Sequence, residues 1–190
     1  CSSVVVVFMS LDLLNRRQFL KAATGSFALA TIFPSNAIAA FADQRKVITL
    51  NNLHTGETLQ TCYFDGANFV ESELDKINHL CRDFRRNEVF PLDKKLLTQL
   101  DNIQTLLKSN AEVQIISGYR SPATNEALRS KSNGVAKKSF HMQGKALDFR
   151  LVGVDLKDVR KAALQLKAGG VGYYPGSNFI HIDTGRVRSW

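Results

Sequence analysis

Short runs rich in strand formers alternate with segments of helical periodicity along residues 47–183, and this alternation is the strongest constraint on the fold. The strand-like runs cover residues 47–50, 57–64, 113–116, 146–152 and 179–183. Helical spacing of apolar residues covers 69–86 and 96–107, with Asp93 as a cap for the second of these, and helices are also predicted at 125–130 and 156–166. This order predicts an α+β domain with a small antiparallel sheet and helices packed on one side.

The N-terminal segment has the order of an export signal. The paired Arg16 and Arg17 precede an apolar run at 22–33, which is followed by small residues at 37–39. This pattern resembles a twin-arginine signal and predicts cleavage after Ala39 and delivery to the bacterial periplasm. The apolar run is shorter than the roughly 20 residues that a membrane span needs.

The domain boundaries follow from this signal. Met9 is a candidate start, which makes residues 1–8 an upstream extension of the signal at 1–39. Residues 40–46 are predicted to be a linker, and residues 47–190 a single domain.

The balance of charge favours a polyanionic environment. The chain carries a formal net charge of +8, and residues 1–39 hold three basic residues and one acidic residue. The remainder is therefore near +6, which suits nucleic acid, anionic lipid or a cell wall. Nucleic acid is the weakest of these partners, because the basic residues are scattered and no stacking aromatic platform alternates with them.

Two cysteines, Cys62 and Cys81, lie in the predicted domain. In an oxidising compartment they can pair, and as buried free thiols they would behave as small apolar residues. Their spacing is not that of a metal site.

Two histidines and one aspartate form a candidate metal site. His141 and Asp148 lie seven residues apart, and His181 falls within the predicted C-terminal strand. Catalytic zinc usually takes three protein ligands and keeps a fourth position for water. A histidine alone on an apolar strand is more often a core residue than a ligand, so the combination carries the prediction. His54 and His79, in a predicted turn and a predicted helix, are left outside the site.

Three segments carry a family resemblance. Residues 139–148 read Ser-Phe-His-Met-Gln-Gly-Lys-Ala-Leu-Asp, residues 117–121 read Ser-Gly-Tyr-Arg-Ser, and residues 169–174 read Gly-Gly-Val-Gly-Tyr-Tyr. With His181, they resemble the zinc D-alanyl-D-alanine carboxypeptidases and murein endopeptidases, a group that includes lysostaphin-type and hedgehog-type zinc folds. The similarity covers residues 47–190 and is greatest to murein endopeptidases exported by the twin-arginine route.

The resemblance implies one Zn2+ ion, held at the sheet of a hedgehog-like or D-Ala-D-Ala peptidase-like fold by His141, Asp148 and His181. It also implies that the substrate is peptidoglycan, cut between D-alanine and diaminopimelate or between two diaminopimelates. The alternatives are a carboxypeptidase or dipeptidase that trims terminal D-alanine, and a non-catalytic wall-binding domain that contains zinc. The preferred cross-link, the oligomeric state and any adaptor or regulatory protease stay open.

The motif match also implies roles around the metal. Arg120 would hold a developing oxyanion or a substrate carboxylate, or it would brace its own loop. Some relatives carry a glutamate three residues before the last ligand or a histidine two before it, where this chain has Asn178 and Phe179. Neither can act as a base. Asp183 shares a strand face with His181, and it either accepts a proton from water or orients a ligand histidine.

Three further positions have open roles. Tyr173 and Tyr174 either line the substrate groove or pack within the protein. Ser139 either supports the site by hydrogen bonding or turns the chain. Gly144 fits a close approach of backbone between the first two ligands.

Overall fold

The computed structural model describes residues 44–132 and 134–190. The predicted export signal at 1–39 lies outside the described residues, as do residues 40–43 of the predicted linker. Within the described part of the chain, no helix combines the length and the apolar character needed to cross a bilayer.

Seven strands form one mixed sheet. They are β1 (Lys46–Asn52), β2 (Thr58–Phe64), β3 (Val113–Ser117), β4 (Ala146–Leu151), β5 (Gly170–Tyr174), β6 (Phe179–Asp183) and β7 (Arg188–Ser189). Their order across the sheet is β2-β1-β3-β4-β6-β5-β7.

The prediction of a small antiparallel sheet is wrong in two respects. The sheet is larger, and β1 pairs in parallel with β3, as β5 does with β7. A parallel pair needs a long crossover connection, and the two helices between β2 and β3 supply it for β1 and β3. Strand β5 was not recognised in the sequence, because its glycines are not typical strand formers. In the structure, these glycines lie where Arg188 and Trp190 pack against the backbone of β5.

Four helices accompany the sheet. They are α1 (Glu71–Leu80), α2 (Lys94–Leu107), α3 (Pro122–Arg129) and α4 (Leu156–Leu166). The predicted cap of α2 is confirmed, because the side chain of Asp93 accepts a hydrogen bond from the backbone N–H of Lys95. Helix α1 ends earlier than the predicted residue 86, because the chain turns after Leu80. The backbone N–H of Asp83 donates to the carbonyl oxygen of Glu88, and its carboxylate accepts a hydrogen bond from the backbone N–H of Ser121.

The core surrounds the two central strands β4 and β6. Phe149 on β4 and Ile180 on β6 are fully buried and pair across the two strands, and the apolar face of α2 is also buried. Nearly every residue of β4 and β6 is buried. Side chains on these strands are therefore held rigidly.

The two cysteines are both free thiols in the structure. Cys81 is buried after the end of α1, and burial raises the pKa of its thiol to about 12. Cys62 lies half-buried on β2. The open question of a disulfide between them is thereby answered in favour of separate thiols.

Candidate metal centre

Asp148 and His181 face each other across the central strands. They are paired residues in the antiparallel register of β4 and β6, and residues paired in this way have closely spaced side chains. Nδ1 of His181 lies 2.8 Å from Oδ1 of Asp148. Both side chains are buried.

His141 reaches the same point from a short 3-10 helix, Phe140–Gln143. The hydroxyl of Ser139 accepts a hydrogen bond from the backbone N–H of His141 and so caps this helix. Gly144 ends it with a φ of 63°, and a Cβ there would lie 2.2 Å from the carbonyl oxygen of Pro91. Only glycine combines a left-handed backbone with this contact. Nε2 of His141 lies 3.3 Å from Oδ2 of Asp148.

These three side chains form one compact group. One ligand atom from each of His141, Asp148 and His181 lies within 4.8 Å of the others, and no second group of this kind occurs among the described residues. Two imidazoles and one carboxylate match the donor set of catalytic zinc sites. His54 lies apart and stacks on Phe84 at 4.4 Å, and His79 is exposed on α1.

The electrostatics of the group favour a cation. Burial disfavours the charge on Asp148, but His141 and His181 outweigh this effect and hold the pKa of that carboxyl well below its usual range. Burial also opposes a charge on His181, but its hydrogen bonds to Asp148 and Asp183 raise its pKa to about 9. Positive charge is therefore favoured between these two carboxylates.

Asp183 lies on the Nε2 side of the His181 ring, and both of its carboxylate oxygens accept hydrogen bonds. Its side chain is fully buried, and Oδ2 lies 3.1 Å from Nε2 of His181. Oδ1 accepts hydrogen bonds from the backbone N–H groups of Gly170 and Gly185. Arg188 donates to both oxygens, at 3.0 and 2.6 Å. Despite burial, these contacts hold the pKa of the Asp183 carboxyl well below its usual range.

Arg120 lies on the loop that follows β3. Its backbone N–H donates to the carbonyl oxygen of His141 at 3.2 Å, and Nη2 donates to the hydroxyl of Ser117 at 3.3 Å. Burial lowers the pKa of the guanidinium, and Asp148 opposes this effect by its charge. The arginine is thus a half-buried cation beside the candidate ligands.

A cavity of ≈ 300 Å³ opens beside the group and is lined by all three candidate ligands. Asp148 is the only carboxylate among the described residues that line it. Its other lining residues include three cations, Arg120, Lys138 and Arg188. They also include an aromatic wall formed by Tyr174, Phe179 and Trp190.

The two tyrosines of β5 have different surroundings. Tyr174 lines the cavity, stacks on Phe179 at 4.6 Å and accepts a hydrogen bond from Nε1 of Trp190 at 2.8 Å. Tyr173 does not line this cavity, and its ring packs against the guanidinium of Arg160 at 4.8 Å. The structure therefore brings only one of the two predicted groove tyrosines to the site.

Lys138, Arg188 and Trp190 are site residues that were missed in the sequence. Arg188 and Trp190 stand two residues apart at the edge of the sheet, where Trp190 bonds through its backbone to Val171 and Tyr173. Residues two apart on a strand share a face, but β7 has only two residues and ends at Ser189, so the spacing of Arg188 and Trp190 gave no recognisable strand signal.

A buried His-Asp-His group beside an open cavity defines a candidate metal centre of the catalytic type. The sequence profile of the family described as "Peptidoglycan L,D-endopeptidase MepK" matches residues 40–190. The chain therefore belongs to this peptidase family, which confirms the family predicted from the sequence.

Individual relatives agree with this assignment. The peptidoglycan L,D-endopeptidase MepK of Escherichia coli (strain K12) is 51% identical over 178 residues, which cover 93% of this chain and 97% of the relative. The probable peptidoglycan L,D-endopeptidase MepK of Haemophilus influenzae is 44% identical over 179 residues, which cover 93% of this chain and 95% of the relative. No solved structure matches this chain.

Proposed function

We propose that this chain is an exported zinc peptidase that hydrolyses peptide cross-links of peptidoglycan during cell-wall remodelling. The observation that carries the proposal is the buried group of His141, Asp148 and His181 beside the cavity. The names of the relatives support it, because proteins 44–51% identical to this chain are called peptidoglycan L,D-endopeptidases.

The donor set fits zinc. His141 offers Nε2, because its Nδ1–H is donated to the carbonyl oxygen of Gly118 at 2.7 Å. Asp148 offers a carboxylate oxygen and His181 offers Nδ1, since Nε2 of that ring faces Asp183. Zinc bound there would supply a Lewis acid that polarises a peptide carbonyl and makes water more acidic.

Arg120 is the cation that would stabilise negative charge developing on the substrate. Its backbone N–H already ties the loop to His141, so bracing does not depend on the guanidinium alone. The side chain makes one described hydrogen bond, to Ser117, which leaves N–H groups for an oxyanion or a carboxylate. A fixed donor of this kind is most effective in a site that excludes water.

The stereochemistry of the bond selects between the two cross-links. The link between D-alanine and diaminopimelate joins two D centres, whereas the link between two diaminopimelates joins an L centre to a D centre. An L,D-endopeptidase acts on the second. The carbon that bears its scissile nitrogen carries a free carboxylate, which suits the cavity cations Arg120 and Lys138.

Export would place the enzyme next to this substrate. Arg16 and Arg17 head the signal at residues 1–39, and the catalytic domain would follow at 47–190 after the linker. Replacing both arginines by lysine is expected to retain the protein in the cytoplasm, as cell fractionation would measure. Periplasmic recovery of that variant would exclude the twin-arginine route.

Digestion of purified sacculi tests the activity. The protein with zinc is expected to remove dimers linked through two diaminopimelates, and a chelator is expected to stop it. His141→Ala is expected to be inactive, while His54→Ala serves as the matched control because His54 lies outside the site. The released muropeptides are separated and quantified by chromatography.

The other outcomes are equally specific. Persistence of these dimers with zinc present would overturn the endopeptidase proposal. Loss of terminal D-alanine alone would indicate a carboxypeptidase, and binding to sacculi without cleavage would indicate a wall-binding domain. Cleavage that survives both the chelator and His141→Ala would exclude the metal site as its origin.

A further inference from the structure

We propose that Arg188, acting through Asp183, is a positioning residue that fixes the ring orientation and the tautomer of the candidate ligand His181. This inference rests on the proposed metal site and goes beyond it, because neither the ligand set nor the family match assigns a role to Arg188. It is carried by a chain of hydrogen bonds that runs from Arg188 to Asp183 to His181.

The first link sets which ring nitrogen of His181 is available. Oδ2 of Asp183 lies 3.1 Å from Nε2, and an ionised carboxylate can only accept, so Nε2 carries the proton. Nδ1 faces Asp148 at 2.8 Å, so it is the nitrogen that would release its proton and offer its lone pair when a metal binds. A carboxylate behind a metal-ligating histidine commonly fixes its tautomer and raises its basicity.

The second link holds Asp183 in place. Nη1 and Nη2 of Arg188 reach one carboxylate oxygen each, at 3.0 and 2.6 Å, which is the two-point contact that only a guanidinium makes. The guanidinium carbon also lies over the rings of Phe140, at 5.5 Å, and Trp190, at 4.8 Å. Arg188 is thus held by two aromatic contacts as well as by the carboxylate.

Gly170 on the neighbouring strand β5 leaves room for the ion pair of Arg188 and Asp183. A Cβ at Gly170 would lie 2.4 Å from Nη1 of Arg188 and 2.5 Å from Oδ2 of Asp183. A side chain at Gly170 would therefore force the arginine or the carboxylate to shift. The backbone N–H of Gly170 completes the arrangement by donating to Oδ1 of Asp183 at 3.0 Å.

The same contacts argue against Asp183 as the general base. Its two oxygens accept five hydrogen bonds: Oδ1 from Gly170, Gly185 and Arg188, and Oδ2 from His181 and Arg188. An ionised carboxylate offers about four lone-pair positions, so none is left for water. Of the two roles considered for Asp183, orienting the histidine is the one that its surroundings allow.

Zinc affinity of this chain tests the proposal without any substrate. The wild type, Asp183→Asn, Arg188→Gln and the double variant are titrated with zinc against a chromogenic chelator. Arg186→Gln is the matched control, because Arg186 is an exposed arginine on the same turn whose side chain makes no described hydrogen bond. Each single variant is expected to lose about 10–100-fold in affinity, and the control is expected to match the wild type.

Non-additivity is the decisive readout. Because Arg188 acts through Asp183, the double variant is expected to bind zinc no more weakly than Asp183→Asn alone. The absorption spectrum of the cobalt-loaded protein is expected to change in both single variants and not in Arg186→Gln. Wild-type zinc affinity in Arg188→Gln, or losses that multiply in the double variant, would overturn the proposal.

Folding is controlled in the same experiment. Circular dichroism and the unfolding temperature are recorded for each metal-free protein, and Arg188→Lys replaces Arg188→Gln if the latter does not fold. Lysine keeps the charge but reaches only one oxygen at a time, so about 10-fold weaker zinc binding is still expected. Wild-type affinity in Arg188→Lys would then overturn the proposal, whether or not the protein cleaves peptidoglycan.

Discussion

The carbonyl oxygen of Gly118 accepts a hydrogen bond from Nδ1 of His141 at 2.7 Å. A carbonyl oxygen can only accept, so Nδ1 carries the proton and Nε2 keeps its lone pair. In the opposite direction, the backbone N–H of Arg120 donates to the carbonyl oxygen of His141 at 3.2 Å. The orientation of this imidazole therefore depends on the position of the loop at residues 117–121.

We expect Gly118→Ala to weaken zinc binding. A Cβ there would lie 2.4 Å from the carbonyl oxygen of Cys81, so the loop must move and carry with it the carbonyl that holds His141. Zinc affinity is expected to fall by about 10–100-fold in a chelator competition titration. Gly176→Ala is the matched control, because a Cβ there meets nothing within 4 Å. Equal affinities in the two variants would contradict this prediction.

We expect Arg120→Ala to reduce turnover while leaving zinc binding unchanged. The guanidinium would stabilise charge that develops on the substrate, and removing one such donor typically lowers kcat by about 100- to 1,000-fold. The measurement is kcat on a purified cross-linked muropeptide, with zinc affinity and unfolding temperature recorded beside it. An unchanged kcat with a lower unfolding temperature would assign Arg120 to bracing the loop.

The grouping of His141, Asp148 and His181 was expected from the family resemblance, because neither the seven-residue spacing of the first two nor a histidine on a predicted strand is specific by itself. The direct pairing of Asp148 with His181 was not predictable, because the register of β4 against β6 depends on tertiary packing. The end of α1 at Leu80 depends likewise on contacts that Asp83 makes far along the chain.

The contacts of Asp183 also could not be predicted from the sequence. The pattern showed that Asp183 and His181 share a face, which left both the base and the orienting role open. The contact of Arg188 with Asp183 distinguishes these two roles. It could not be predicted, because Arg188 follows a turn at Gly185 and returns to Asp183 from a strand of two residues. A strand so short has no periodicity from which its direction can be inferred.

We expect Tyr174→Ala to raise KM and Tyr173→Ala to leave it unchanged. Tyr174 belongs to the aromatic wall of the cavity, whereas Tyr173 packs against Arg160 away from it. Aromatic contacts of this kind contribute about 0.5–1.5 kcal/mol, or roughly 2- to 12-fold in KM. Steady-state kinetics on one cross-linked muropeptide provide the measurement. A rise in KM of equal size in both variants would exclude a specific role for Tyr174.

We expect Asp83 to make the fold sensitive to acid. Asp83 is buried, and its carboxylate accepts hydrogen bonds from the backbone N–H and the hydroxyl of Ser121, at 2.9 and 2.7 Å. Burial alone would raise its pKa, but the hydrogen bonds from Thr124 and Ser121 hold the pKa below its ordinary value of 3.8. Hydrogen bonds to a buried charged group contribute about 1.5–3 kcal/mol to the free energy of unfolding.

The sign of this effect fixes the pH range. A carboxyl whose pKa is lower in the folded state stabilises the fold at pH values above its unfolded pKa, and this contribution is lost as the pH falls through the folded value. Asp83→Asn is therefore expected to lower the unfolding temperature most at neutral pH and progressively less below about pH 4. Asp75→Asn, at an exposed position on α1, removes the same charge and serves as the control. A difference from wild type that stays constant from pH 7 to pH 2 would show that the Asp83 charge contributes nothing.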